Sequence, residues 1–480
     1  MSISNKVYLY IRRKKIMARK PLGTDKYGVQ KVMRTGDYFA DSLGQFALNS
    51  MSGLVGQLTY FYTDKVGIAA GAVATMLLIC KIVDAFTDII MGNIVDHTKP
   101  GKEKYRPWLL KMAIPAAIII ALLFTVPTSI GSAGQIAYLL VTNLLLSAVI
   151  YTAICIPYSA FVVVRTNSQE ERGIMGIWRA AAGYVSGMII AVAIIPITNA
   201  LGGNQSAWIK FGIAFGLFTA LALLICYTRA KETATEGKAE VVEPENDEEP
   251  VPFMEAIKNL FKNKYWVMIL VMNFCAQISY GIGGASGTYY CKWIYGDDNL
   301  VAVLGGIGMI PTLLGFILVG PMSKRLGVTK TLRVSFFIGM VGTALRILNP
   351  THFVYNTTLS CFASFANIPM MCLLGVLSAM AIDYNEYKYG KKMVAISQSA
   401  CSFGNKVGSG IGASMIGWCL GFAAYDGFAA TATPAVIQAI YTFSIYIPLV
   451  LFIVMFVLAM RFDLEAKLPE YKKEIAARRQ

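Results

Sequence analysis

Apolar residues dominate long stretches of this chain, and short polar or glycine- and proline-bearing breaks divide them at near-regular intervals. A helix needs about 20 apolar residues to cross a bilayer. On that measure the pattern predicts spans at Asp37–Tyr62, Gly67–Val95, Pro107–Pro127, Gly134–Arg165, Gly173–Thr198 and Ala207–Tyr227. A second set follows at 265–293, 298–323, 329–348, 353–385, 393–424 and 436–462. Between the sets lies a polar stretch with the acidic run VVEPENDEEPVP and a short amphipathic piece, FMEAIKNLFKNK. Such a composition shift marks a solvated linker. The organisation expected is a basic tail (1–35), a six-helix bundle (36–229), the linker (230–264), a second six-helix bundle (265–463) and a charged tail (464–480). The fold class is therefore an all-α polytopic membrane protein with twelve transmembrane helices in two halves.

Composition agrees with that pattern. Hydrophobic residues make up 56% of the chain and charged ones only 15%, where a soluble globule carries about a quarter. The formal charge of +15 does not point to nucleic acid, because the basic residues cluster just outside alternate ends of the spans. Lys99, Lys102, Lys104 and Arg106 follow the second span, Arg165 and Arg172 the fourth, Lys324, Arg325, Lys330 and Arg333 the eighth, and Lys388, Lys391 and Lys392 the tenth. That is the positive-inside distribution, and it puts both termini and the linker in the cytosol. Nine cysteines without a CxxC pair, and only two histidines, read as small buried apolar groups rather than metal ligands. Residues 1–20 lack a sustained apolar core and read as a cytosolic tail, not a signal peptide. No nucleophile–histidine pair, metal-spaced ligand set or phosphate loop suggests an enzyme.

Charges inside the spans carry the chemistry. Lys81, Asp84 and Asp88 share one face of the second span at i, i+3 and i+7. Each unpaired charge at mid-bilayer costs roughly 2.5–3.5 kcal/mol, so that face must look into protein or water. It could pair internally or hold a small cation or proton. In the first span Asp41, Gln45 and Asn49 form a polar stripe at i, i+4 and i+8, with Asp41 near the membrane edge as a solvated cap. Lys406 sits among Gly404, Gly408 and Gly412, a spacing that permits close helix contact. Arg179 is the other deep cation.

The two halves echo each other. Gly92-Asn-Ile-Val-Asp96 followed by basic residues recurs as Gly320-Pro-Met-Ser-Lys324-Arg325-Leu-Gly327 after the eighth span, and this resembles the loop motif of the major facilitator superfamily. The runs YFYTDKVG (60–67), KIVDAFTDIIMGNIVD (81–96), KYRPW (104–108), ICIPYSAF (154–161), EERGIMGIWR (170–179), DYNEYKYG (383–390) and SQSACSFGNKVGSGIG (397–412) are more specific. They resemble the glycoside–pentoside–hexuronide:cation symporters, the family of the melibiose permease, over both halves of the chain.

That resemblance implies two six-helix halves rocking about a central site, with cation-coupled sugar symport as the activity. It implies Asp84 and Asp88 as cation ligands (a Na⁺ site among them), with Lys406 reaching toward them. Where the prototype has a third aspartate this chain has Cys155, a poor ligand for a hard ion. Thr152, one turn earlier, keeps a hydroxyl, and the exchange tilts the expected coupling ion from Na⁺ toward H⁺. The resemblance further implies Arg179 as a sugar ligand. Trp178 and Tyr158 are candidate sugar platforms, Ser159 stands where the prototype has a tryptophan, and Gln45 and Asn49 are candidate sugar contacts. Asp96, Arg106, Arg172, Lys324, Arg325, Asp383 and Glu386 are read as gate or loop ion pairs at the cytosolic ends. The expectation is a functional monomer in the cytoplasmic (inner) membrane, its partners a small sugar and the bilayer, with no cofactor beyond the coupling ion. An uncoupled facilitator, exchanger or lipid-moving relative is the alternative on the same fold, and a receptor or scaffold without turnover the alternative outside it.

Overall fold

A computed structural model describes residues 22–24, 29–96, 103, 105–166, 168–232, 260–389 and 394–479. The 1–20 tail and the acidic run of the linker lie outside the described residues, as does the side chain of Asp96. Twelve long helical segments follow one another. The first six are α1 (35–65), α2 (Ala70–Asp96), α3 (Arg106–Phe124), α4 (132–165), α5 (Gln169–Ala200) and α6 (Gln205–Arg229). The second six are α7 (264–295), α8 (Leu300–Leu326), α9 (Val328–Leu345), α10 (Phe353–Tyr389), α11 (Val394–Phe422) and α12 (434–461). Ten of these are long and apolar enough to span a membrane. The remaining two, α1 and α11, are the helices that carry the polar stripe and Lys406. The last segment expected to be a plain charged tail is instead a thirteenth helix, α13 (Leu464–Arg479), packed on α10.

Polar side chains at helix starts explain several boundaries. Ser168 accepts from Glu171 N, Asn204 from Ala207 N, Asn263 from Tyr265 N and Trp266 N, and Thr433 from Val436 N. Each satisfies amides that a first turn otherwise leaves bare. Between α8 and α9 the whole connection is Gly327, at φ +85°, a left-handed conformation that glycine adopts without penalty.

Two carboxylates outside the spans repeat one construction in both halves. Glu232, just past α6, accepts from Tyr105 N (2.7 Å) and Arg106 N (2.9 Å) at the start of α3. Glu465, just past α12, accepts from Val328 N (2.8 Å) and Thr329 N (2.7 Å) at the start of α9. In return Arg106 Nε donates to Tyr227 O of α6 (2.9 Å), and Arg333 Nε donates to Ala459 O of α12 (2.9 Å). Negative charge meets a helix N-terminus and positive charge a C-terminus in each case, the favourable sense for both dipoles.

The halves meet along α2–α11, α5–α8 and α1–α7. Close approach on the C-terminal side depends on small residues. A Cβ at Gly281 would lie 2.2 Å from Ser409 O, and one at Gly412 would lie 2.2 Å from Ile278 O, so α7 and α11 touch backbone to backbone. At the end away from the linker one buried core runs through both halves, from Tyr60, Phe61 and Trp208 to Tyr289, Ile416 and Phe443. A separate core fills the linker end of the second half, around Trp266, Phe336 and Phe452.

Polar ties reinforce the closure at that far end. Tyr60 Oη donates to Asp298 Oδ2 (2.6 Å), and Asn199 Nδ2 to Asp298 Oδ1 (3.0 Å). Tyr425 Oη donates to the buried Asp64 (2.7 Å), which also pairs with Lys292, and Gln57 Nε2 donates to Gly284 O (3.0 Å). Asp64 and Lys292 both lie in π-helical turns, at Phe61–Lys65 and Cys291–Tyr295, that end α1 and α7.

Candidate functional site

Midway along α2, Asp84 is 2% exposed and Asp88 half-buried. Lys406 of α11 bridges them: its Nζ lies 3.3 Å from Asp84 Oδ1 and in direct contact with Asp88 Oδ2. Thr152 of α4, also buried, lies 3.2 Å from Asp84 Oδ1 and 3.0 Å from Asp88 Oδ1. Its single hydroxyl proton serves one carboxylate at a time. Lys81, on the same face, stands within electrostatic range of both aspartates and of Lys406, but the direct bridge is made by Lys406. Cys155 stands within range of Asp88 and Lys406. Two carboxylates thus face two ammonium groups, three helices supply the cluster, and α2 and α11 come from opposite halves. The four residues expected at a cation site, Asp84, Asp88, Thr152 and Lys406, are brought together.

The second buried charge cluster overturns the expectation for Asp41. It is not a solvated cap: it is 1% exposed, two turns inside α1, and α4 and α5 close over it. Arg179 clamps it with Nε to Oδ2 at 2.7 Å and Nη2 to Oδ1 at 3.0 Å, and Arg165 adds a charge at 3.7 Å. The guanidinium also donates to Tyr158 O (3.2 Å) and lies 3.8 Å over the Tyr158 ring. Tyr158 in turn donates to Asp41 O (2.7 Å) and is 1% exposed. In this conformation most donors of Arg179 are engaged by protein, and the Tyr158 ring is covered.

The other sequence candidates are spread out. Gln45 Nε2 donates to Asn49 Oδ1 (2.7 Å), and the Asn49 amide abuts Gly183 of α5. Trp178 is half-buried, edge-on to Phe39 at 6.5 Å. Arg106 pairs with Glu103 (2.7 Å) and stacks on Tyr227, so it fastens α3 to α6 within one half. Arg172 Nε donates to Thr166 O (3.0 Å). Lys324 and Arg325 are exposed at the end of α8, and Asp383 and Glu386 are half-buried near the end of α10. Glu171, which the sequence reading passed over, gathers Val32 N, Met33 N and Thr166 Oγ1 onto one buried carboxylate beside Arg172.

Residues 42–466 match the family described as MFS/sugar transport protein. The chain belongs to that family. The expected likeness to glycoside–pentoside–hexuronide symporters is borne out by its relatives. Among them are the inner membrane symporter YicJ of Escherichia coli (strain K12), 26% identical over 84% of this chain and 86% of that one, and the isoprimeverose transporter of Lactiplantibacillus pentosus, 27% identical over 86% and 85%. A bacterial homologue of the lysosomal transporter Spinster, in an inward-facing state, superimposes with a TM-score of 0.63 at 13% identity. The alignment covers 92% of this chain and 99% of that one. This sugar-transport family member accordingly has the major facilitator fold, with the charged cluster of α2, α4 and α11 between its halves.

Proposed function

We propose that the protein is a secondary active sugar transporter that moves an uncharged glycoside or pentoside with a proton by alternating access. The observation that carries this reading is the ion bridge from Lys406 to both Asp84 and Asp88, buried between halves that must move apart. Protonating one aspartate removes half of the bridge's anionic partner, loosens α11 from α2, and so links ion occupancy to rocking. A second positive ion such as Na⁺ would enter a cluster whose two carboxylates already face two lysines, with Cys155 adding no anionic oxygen. The names of the relatives, a symporter and an isoprimeverose carrier, support the direction and the substrate class. At about 100 mV one inward positive charge supplies roughly 2.3 kcal/mol, enough to concentrate a neutral solute about fifty-fold. The setting is a cytoplasmic (inner) membrane with both termini in the cytosol.

The test is uptake and counterflow in proteoliposomes against xylose, isoprimeverose, melibiose and glucuronate, with pH and Na⁺ varied separately. Uptake should follow the pH gradient, ignore Na⁺ and collapse with a protonophore, while counterflow persists. Asp84→Asn should lose accumulation. Transport of none of these sugars, or full accumulation by Asp84→Asn, overturns the proposal. Cys155 and the pre-formed lysine bridge also favour a second reading, an uncoupled facilitator, for which a protonophore would leave uptake unchanged.

A further inference from the structure

Tyr280 lies midway along α7, on a face that neither charge cluster uses. Ile278 and Ile282, two residues to either side, are 6% and 2% exposed and point into the core of the second half. Successive helical residues turn by about 100°, so Tyr280 points nearly opposite to them. One turn further on, Gly284 shares that face; it touches Gly56 of α1 and its carbonyl accepts from Gln57. This face of α7 therefore looks at the first half of the molecule. Yet Tyr280 is 73% exposed. A ring aimed at the opposite half and still open borders the space between the halves, just below the Gly56–Gly284 contact that shuts it. Its phenol comes within electrostatic range of Tyr184 on α5, a helix packed against α1 and α8. Tyr184 is held edge-on by Phe316 of α8, with ring centroids 5.6 Å apart.

We propose that Tyr280 and Tyr184 form the aromatic roof of the sugar site, one ring from each half, stacking on the C–H faces of an uncharged pyranose. Gln277, one turn below Tyr280, and Asn49, beside Gly183, supply amides for ring hydroxyls at the same depth. Rings and amides without a formal charge select neutral glycosides over uronates. Because the roof draws on both halves, a bound sugar bridges them directly beneath the far-end closure. The inference rests on the sugar-transport reading and adds a specificity-determining surface to it.

The protein in lipid nanodiscs, carrying Tyr280→Cys, is treated with a water-soluble maleimide, and labelling is read by mass spectrometry on the peptide that bears the substitution. The ligand is whichever of the four sugars shows the fastest counterflow. The introduced thiol should react, and saturating sugar should shield it. Tyr280→Ala should raise the half-saturation for counterflow by about ten-fold, the worth of one aromatic contact. Tyr280→Phe and Tyr280→Trp should stay near the parent value and cover the case in which the cysteine variant does not fold. Labelling by a lipid-soluble maleimide alone, labelling that sugar does not reduce, or an unchanged half-saturation in Tyr280→Ala overturns the roof. A parent protein that transports while the introduced thiol goes unshielded removes the roof alone; one that transports no sugar removes the functional reading with it.

Discussion

At the scale of the residue, position 155 decides most about the ion. Its thiol sits beside Asp88 and Lys406, where an added carboxylate would make three anionic groups against two lysines. Cys155→Asp is expected to create Na⁺-stimulated uptake where the parent shows none, measured as the ratio of initial rates with Na⁺ and with choline at fixed pH. A ratio of one would mean that Lys406 is not displaced. The charged residues of α2 were plain in the sequence, because ionised groups within a 27-residue apolar helix have no inexpensive alternative to a polar interior. Which lysine bridged them was not. Lys81 is three residues from Asp84 and Lys406 is hundreds away, and only the packing of Gly410 against Lys81 shows how α11 delivers Lys406 instead. Asp41 misled for the opposite reason. Its position near a helix start resembles a cap, and nothing local announces that Arg179 and Arg165 converge on it.

At the scale of the element, helices were legible and their fastenings were not. The predicted spans fall within a few residues of the observed ones, since a long apolar run has one stable arrangement in lipid. Glu232 and Glu465 lie in polar stretches where an acid normally faces solvent, and no periodicity separates them from their neighbours. The same holds for α13, whose apolar residues are too few to reveal that Tyr471 stacks on Tyr387 with centroids 4.3 Å apart. Glu465→Gln removes a charge from the start of α9. It should cost about 1 kcal/mol, the usual worth of a helix cap, seen as a lower melting temperature in detergent. Glu465→Ala should cost more, since the two amides then lose their acceptor altogether. Equal melting of all three proteins would show that water replaces the carboxylate freely.

At the scale of the whole molecule, the halves are joined by a continuous core and by buried charge at one end and by a single ion bridge near the middle. Removing one tie should therefore bias the entire protein. Asp64→Asn withdraws the partner of Lys292 and the charged acceptor of Tyr425. It should populate a conformation open at the far end, detected as faster labelling of a cysteine introduced at Gly56 by an impermeant reagent added from that side. Unchanged labelling would place the closure in the apolar core alone. The two-half plan was visible in the repeated loop motif, but which end would be shut was not, because the same residues serve both conformations.

The far-end charges have one more consequence. Asp64 and Lys292 sit inside turns wound one residue wider than an ordinary helix. Drawing either turn back to the tighter winding would swing the side chains beyond it by about 100° without stretching a covalent bond. Local respooling at two short segments is thus enough to unlatch the pair, and the rest of α1 and α7 can travel as stiff levers.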